Sequence, residues 1–240
     1  MTVRLRSLPP VRRLLAVLLA VLLAGLAVGC TGGSGDSAAA LGDRLSAAKR
    51  TLDGAASIDL TLRTDRLPPG VDGITEAAGV ATHAPAFRGQ ITVAAGGLFD
   101  GQQVDVVAVD GDVYAQTPFS SSYLRVDPAD FNAPDPATLL DPDTGLSTLL
   151  SEATDLSATG QERAGEDVLT SVEGTVPGSV VSRVFPSAAP SRSFDVTFWL
   201  DDSDRLRRAA VTGPFYGDAP PVSYHLTVQA SDAPVKITAP

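Results

Sequence analysis

Along most of this chain apolar residues return at every second position. That spacing commits the chain to strands with one face in a core, because successive side chains of an extended backbone point to opposite faces. Ile58, Leu60 and Leu62 alternate with Asp59, Thr61 and Arg63. The same period marks residues 79–83, 88–94, 103–109 and 112–116, with Asp110-Gly111 between the last two. Glycine accepts the positive φ of a two-residue hairpin turn, so an antiparallel meander is expected there. Strands return at 158–163 and 167–176. Phe194, Val196, Phe198 and Leu200 then alternate with Asp195, Thr197 and Trp199, and further strands are read at 206–212 and 222–228, with 235–238 as an added edge.

Between the two strand runs the rhythm breaks at Asp127-Pro128, Asp135-Pro136 and Asp141-Pro142. Each pair reads as a helix start, aspartate accepting orphan amide hydrogens and proline occupying the first helical position. Leu139, Leu140, Leu146, Leu149, Leu150 and Ala153 supply apolar faces for two short helices. Another helix is expected over Leu41, Leu45, Ala48 and Leu52, capped by Asp36 or Ser37, and one more around Val180, Val181, Val184 and Phe185 before Pro186. Helices grouped between runs of strands indicate an α+β domain with a mostly antiparallel sheet. In residues 104–109 both faces are largely apolar. This strand is covered on both sides or borders an interior cavity, and a packed sandwich core gives the same pattern.

The first 29 residues have a different character. Arg4, Arg6, Arg12 and Arg13 precede an apolar run ending at Leu26, then small residues, then Cys30, the only cysteine. The run is shorter than the ~20 residues a membrane span needs, so a cleaved export signal is expected over residues 1–29. Small residues before a lone cysteine resemble the bacterial lipobox, which makes Cys30 the expected lipidation site, although Ala27 stands where that motif has leucine. The Gly-, Ser- and Ala-rich residues 30–40 read as a flexible tether, and 41–240 as a single domain. Loss of the leader removes four of 18 basic residues and none of 28 acidic ones, leaving a net charge near −14. Nucleic acid held by a general basic field is thereby excluded.

Chemistry-bearing motifs are sparse. Residues 141–152 carry acids at the first, third and twelfth positions of a calcium loop, but Leu146 replaces the required glycine and no fifth-position ligand exists, so no metal is expected. Ser46-Ala47-Ala48-Lys49 has the serine-lysine spacing of penicillin-binding proteins without the companion boxes. His83 and His225 are the only histidines and stand at a turn and on a polar strand face. Neither an enzyme nor a cofactor is indicated. A noncatalytic interaction or structural module at the cell surface, with no lipid cavity, is the alternative reading.

The order of these pieces resembles a known family. The leader with its cysteine, the short first helix, a strand like 57–62, the hairpin Val106-Val107-Ala108-Val109-Asp110-Gly111-Asp112-Val113-Tyr114-Ala115, and then Leu139-Leu140-Asp141-Pro142-Asp143-Thr144-Gly145-Leu146 are similar to the actinobacterial LppX/LprA/LprF/LprG lipoproteins. The resemblance implies a strongly curved half-barrel sheet wrapped around a few short helices and an internal apolar cavity. It implies a monomer, anchored to the outer side of the cell membrane, that binds and transports acylated lipids or glycolipids across the envelope. Such a cavity would be lined from the apolar faces already named: Ile58, Leu60, Leu62, Val104, Val106, Val107, Val109, Leu146, Leu149, Leu150, Phe194, Val196 and Phe198. The proline-rich residues 213–221 depart from the family pattern and are expected to reshape the cavity mouth.

Overall fold

The computed structural model describes residues 37–94, 101–131 and 133–240. The leader, Cys30 and residues 31–36 of the expected 30–40 tether lie outside them, whereas 38–40 belong to the first helix. Helix α1 (Ala38–Gly54) starts on Ser37, whose Oγ accepts from the Ala40 amide at 3.2 Å. Its buried stripe is Leu41, Leu45, Ala48 and Leu52, as the spacing predicts. Eleven strands follow. They are β1 (Ser57–Thr64), β2 (Gly73–Thr82), β3 (Ala86–Ala94), β4 (Gln102–Val109), β5 (Asp112–Gln116), β6 (Leu124–Val126), β7 (Thr154–Ala164), β8 (Asp167–Pro177), β9 (Ser193–Leu200), β10 (Leu206–Gly213) and β11 (Val222–Ser231). Helices α2 (Thr148–Ser151) and α3 (Gly178–Val184) are the other α-helices among the described residues.

All strands join one open antiparallel sheet in the order β6-β5-β4-β3-β2-β1-β11-β10-β9-β8-β7. Two meanders, β1 to β6 and β7 to β11, meet where the first strand pairs with the last, Leu60 opposite Val228. The chain must therefore travel from the β6 edge to the β7 edge. It does so across one face, where Leu140, Leu149 and Leu150 are buried in the main core. Curvature follows from what shares that face. Val113 on β5 and Leu226 on β11 line one cavity although five strand spacings separate them, about 24 Å in a flat sheet at ~4.8 Å each.

The hairpin turn is as expected, with Asp110 at φ 57° and Gly111 at φ 80°. Four other readings are corrected. Residues 235–238 form no strand, because β11 already has a neighbour on each side; Ile237 instead packs on Ala86, Val107 and Val109. Asp127-Pro128 and Asp135-Pro136 open single 3-10 turns rather than α-helices. Asp141-Pro142 opens no helix at all. The Asp141 carboxylate accepts from the amides of Asp143 and Thr144 at 2.9 and 2.8 Å, making a turn, and α2 begins only at Thr148. Strand β2 starts six residues before the expected 79 because a register shift between Ile74 and Glu76 breaks the two-residue period there.

A buried acid fixes the β9–β10 turn. Asp201 is 3% exposed and accepts from the amides of Ser203 and Arg205 at 2.9 and 3.0 Å and from the Arg205 guanidinium at 2.8 Å. Burial pushes its carboxyl up, but those donors outweigh burial and hold it below the usual 3.8. A carboxyl lowered in the folded state adds stability above its unfolded value, and that stability is lost as pH falls through the folded one. Asp201→Asn should therefore lower the melting temperature at pH 6, with the gap to wild type closing below about pH 4.

Candidate functional site

The concave face holds a cavity of about 280 Å³ bounded by β1 to β6, β11 and the crossing segment 124–139. A second void of about 20 Å³ lies deeper, beside α1 and α2. One water needs ~10–15 Å³, so the second void is water-sized and the first is more than tenfold larger, near the lower end of the ~300–1,000 Å³ of small-molecule pockets. Leu139, Leu146 and Leu226 border both and form the wall between them.

The wall chemistry is nearly uniform. Phe87, Val104, Val106, Val113, Leu60 and Leu226 form the sheet side, and Pro128, Phe131, Pro136 and Leu139 the crossing segment. The polar contributors are Gln102, Thr117, Ser187, Tyr216 and Tyr224, and none of the described lining residues carries a charge. Two glycines give Phe87 its place. Gly79 and Gly89 face each other across β2 and β3, and a Cβ on either would come within 2.6 Å of the Phe87 ring.

Of the residues expected at the cavity, Leu60, Leu62, Val104, Val106 and Leu146 line it. Ile58, Leu149, Leu150 and Phe198 border the inner void, and Phe194 and Val196 are core residues under the helices. Val107 and Val109 are on the other face, against Ile237, since period two sends neighbours of Val106 and Ala108 outward. The doubly apolar strand thus serves a cavity on one face and the C-terminal segment on the other. Sequence reasoning missed Phe131, Phe185, Tyr216 and Tyr224 as lining residues. Phe131 and Tyr216 stand in proline-flanked connections where no period operates, and Phe185 was read as the end of a helix before Pro186 without being assigned to the cavity.

The 213–221 stretch contributes Tyr216 to the cavity wall. Phe215 is fully buried, edge-on to Phe194, Phe185 and Tyr224 with centroids 4.9 to 5.4 Å apart. Its neighbour Tyr216 meets Tyr224 hydroxyl to hydroxyl at 2.7 Å. Burial pushes the Tyr224 hydroxyl well above its ordinary pKa, so this hydroxyl keeps its proton at any physiological pH. Tyr224→Phe leaves the Tyr216 hydroxyl without that partner and should cost about 1–2 kcal/mol in urea unfolding. A loss under a few tenths of a kcal/mol would mean the pair adds nothing.

Of the serine, lysine and histidines noted in the sequence, Lys49 and His83 make structural contacts, and Ser46 and His225 are exposed. Lys49 directs its ammonium to Asp53, the Pro142 carbonyl and Ser147 at 2.8, 2.8 and 3.0 Å, fastening α1 to the crossing segment. His83 Nε2 lies 3.1 Å from the Leu52 carbonyl at the end of α1, and His225 is exposed.

Comparison with known proteins agrees with this architecture. LprF from Mycobacterium bovis superposes with a TM-score of 0.69 at 17% identity, covering 83% of this chain and 96% of that one. LppX from Mycobacterium tuberculosis gives 0.62 at 23% identity, covering 84% and 100%. At such identities the likeness speaks for the fold. By sequence, the lipoarabinomannan carrier protein LprG of Mycobacterium leprae is 26% identical over 95% of this chain and 96% of its own length. The sequence model of the LppX_LprAFG lipoproteins matches residues 37–237, and the chain belongs to that family.

Proposed function

We propose that this protein is a membrane-anchored lipoprotein that takes the acyl chains of a lipid or glycolipid into its concave cavity and carries them across the cell envelope. One observation carries the reading. Among the described residues, a cavity far larger than a water is bounded by no Asp, Glu, Lys or Arg. Natural cores close such space, because unfilled apolar volume costs stability. The relative named as a lipoarabinomannan carrier supports the same class of ligand.

Energetics set what such a site must do. Transferring about thirty methylenes from water at ~0.8 kcal/mol each would give more than 20 kcal/mol, at the ceiling of noncovalent affinity. A carrier avoids water as a reference by exchanging chains between bilayer and cavity, both apolar. The crossing side of its wall includes a three-residue strand and two 3-10 turns, and displacement of that side would admit a second chain. Cys30, acylated with diacylglycerol, holds the protein at the membrane, and the intact mass of detergent-extracted protein should carry that addition. Cys30→Ala should abolish it and release the chain to the soluble fraction.

The functional test is organic extraction of protein purified from an actinobacterial host, followed by mass spectrometry. A near-stoichiometric acylated lipid or glycolipid is the expected result. Protein that is lipid-free and takes up none from vesicles would end the reading.

A further inference from the structure

The cavity has a lip of its own chemistry. Among the described residues the two most exposed large apolar side chains are Phe119 at 86% and Leu124 at 62%, on and beside the β5–β6 loop. Leu124 also lines the cavity, as does Thr117 at the start of that loop, so the loop carrying Phe119 joins the cavity wall at both its ends. Strand registers put this loop at the same end of the sheet as the β1–β2 and β10–β11 loops. Those two carry three acids, Asp65, Asp72 and Asp218, against one base, Arg66, whereas residues 113–126 contain no acid and one base, Arg125, paired with Asp112. In a strongly acidic chain one loop is thus kept free of the charge that a phospholipid surface would repel.

We propose that the β5–β6 loop is a bilayer-contact lip: Phe119 enters the interfacial region of a membrane, and acyl chains pass along Leu124 into the cavity. An aromatic ring on a serine-rich turn suits that boundary, with the ring among acyl chains and the hydroxyls among headgroups. The proposal rests on the cavity taking acyl chains, and the experiment separates the two. Full-length Phe119→Trp protein is mixed with excess phosphatidylcholine vesicles containing brominated acyl chains, with wild type subtracting Trp199 and Asp202→Trp reporting the opposite end of the sheet. Quenching of the added fluorescence by at least half for Phe119→Trp, and little for Asp202→Trp, is expected.

Transfer of a fluorophore-tagged diacyl galactolipid from these vesicles to acceptor vesicles is then followed. Phe119→Asp, a change at a side chain already in solvent, should slow transfer at least tenfold while the amount of lipid held at equilibrium stays at the wild-type level. Unquenched Phe119→Trp, or wild-type transfer by Phe119→Asp, overturns the lip and leaves a protein partner as the occupant of this loop. Wild type that takes up no lipid sinks the cavity reading instead, and quenching still decides whether the loop meets the bilayer.

Discussion

Gly145→Val is expected to destabilise the domain by roughly 3 kcal/mol or more, because the glycine is enclosed by backbone that has nowhere to go. A Cβ at this position would lie 2.6 and 2.9 Å from the Asp141 carbonyl oxygen and amide nitrogen, and closer still to the Leu139 carbonyl oxygen. Those atoms are pinned. The Gly145 amide donates to Asp141 O at 2.7 Å, the Leu146 amide donates to Leu139 O at 2.9 Å, and the Asp141 carboxylate holds the turn from inside. The turn presents Leu139 and Leu146 to the cavity, so the damage should reach ligand binding as well as folding. Gly165→Ala is the comparison: its φ of +65° strains any side chain, but nothing lies within 4 Å, and ~1–2 kcal/mol is expected. Urea unfolding of both variants checks the ranking. A Gly145→Val protein within 1 kcal/mol of wild type would mean that the turn yields easily.

The second large effect is a contrast between neighbours on β4. Val106→Trp should remove lipid uptake at least tenfold while leaving stability within about 1 kcal/mol, since the new ring has empty apolar volume to enter. Val107→Trp should do the reverse. That side chain is 3% exposed between Ala86, Val109 and Ile237, where added volume costs ~1–3 kcal/mol, and the cavity on the other face is untouched. Uptake of a fluorescent diacyl lipid and urea unfolding, measured on both variants, separate them. Equal losses of stability would mean that the interior around Val106 is packed core.

Much of the architecture was legible because period two is a physical signature of a half-buried strand. Strand β5 was placed to the residue, and β3, β4, β8 and β10 within two residues at either end. What escaped had lost its period for identifiable reasons. The start of β2 is hidden by its register shift, and β6 is only three residues long. Residues 127–150 gave correct local chemistry, with Asp127 and Asp135 each accepting the amide two residues on, but Asp-Pro capping does not specify how many helical turns follow. That length was set by the crossing from one sheet edge to the other, a demand of topology. The cavity residues divide along the same line. Leu60, Leu62, Val104 and Val106 follow from alternation; whether a concave face meets a helix, as at Phe198, or empty volume depends on where α1 and α3 sit. Val107 and Val109 were assigned to the cavity because apolarity alone does not say which of two covered faces is the inner one.

The most direct test of a lipid held between the sheet and the crossing segment is covalent capture. A diacyl glycolipid with a diazirine midway along one chain is loaded from vesicles, irradiated, and its adducts mapped by peptide mass spectrometry. Adducts at Phe87, Val104, Val106, Leu146 and Leu226 are predicted, with none at Val107 or Val109. Adducts confined to exposed side chains, or equal labelling of the two faces of β4, would contradict it.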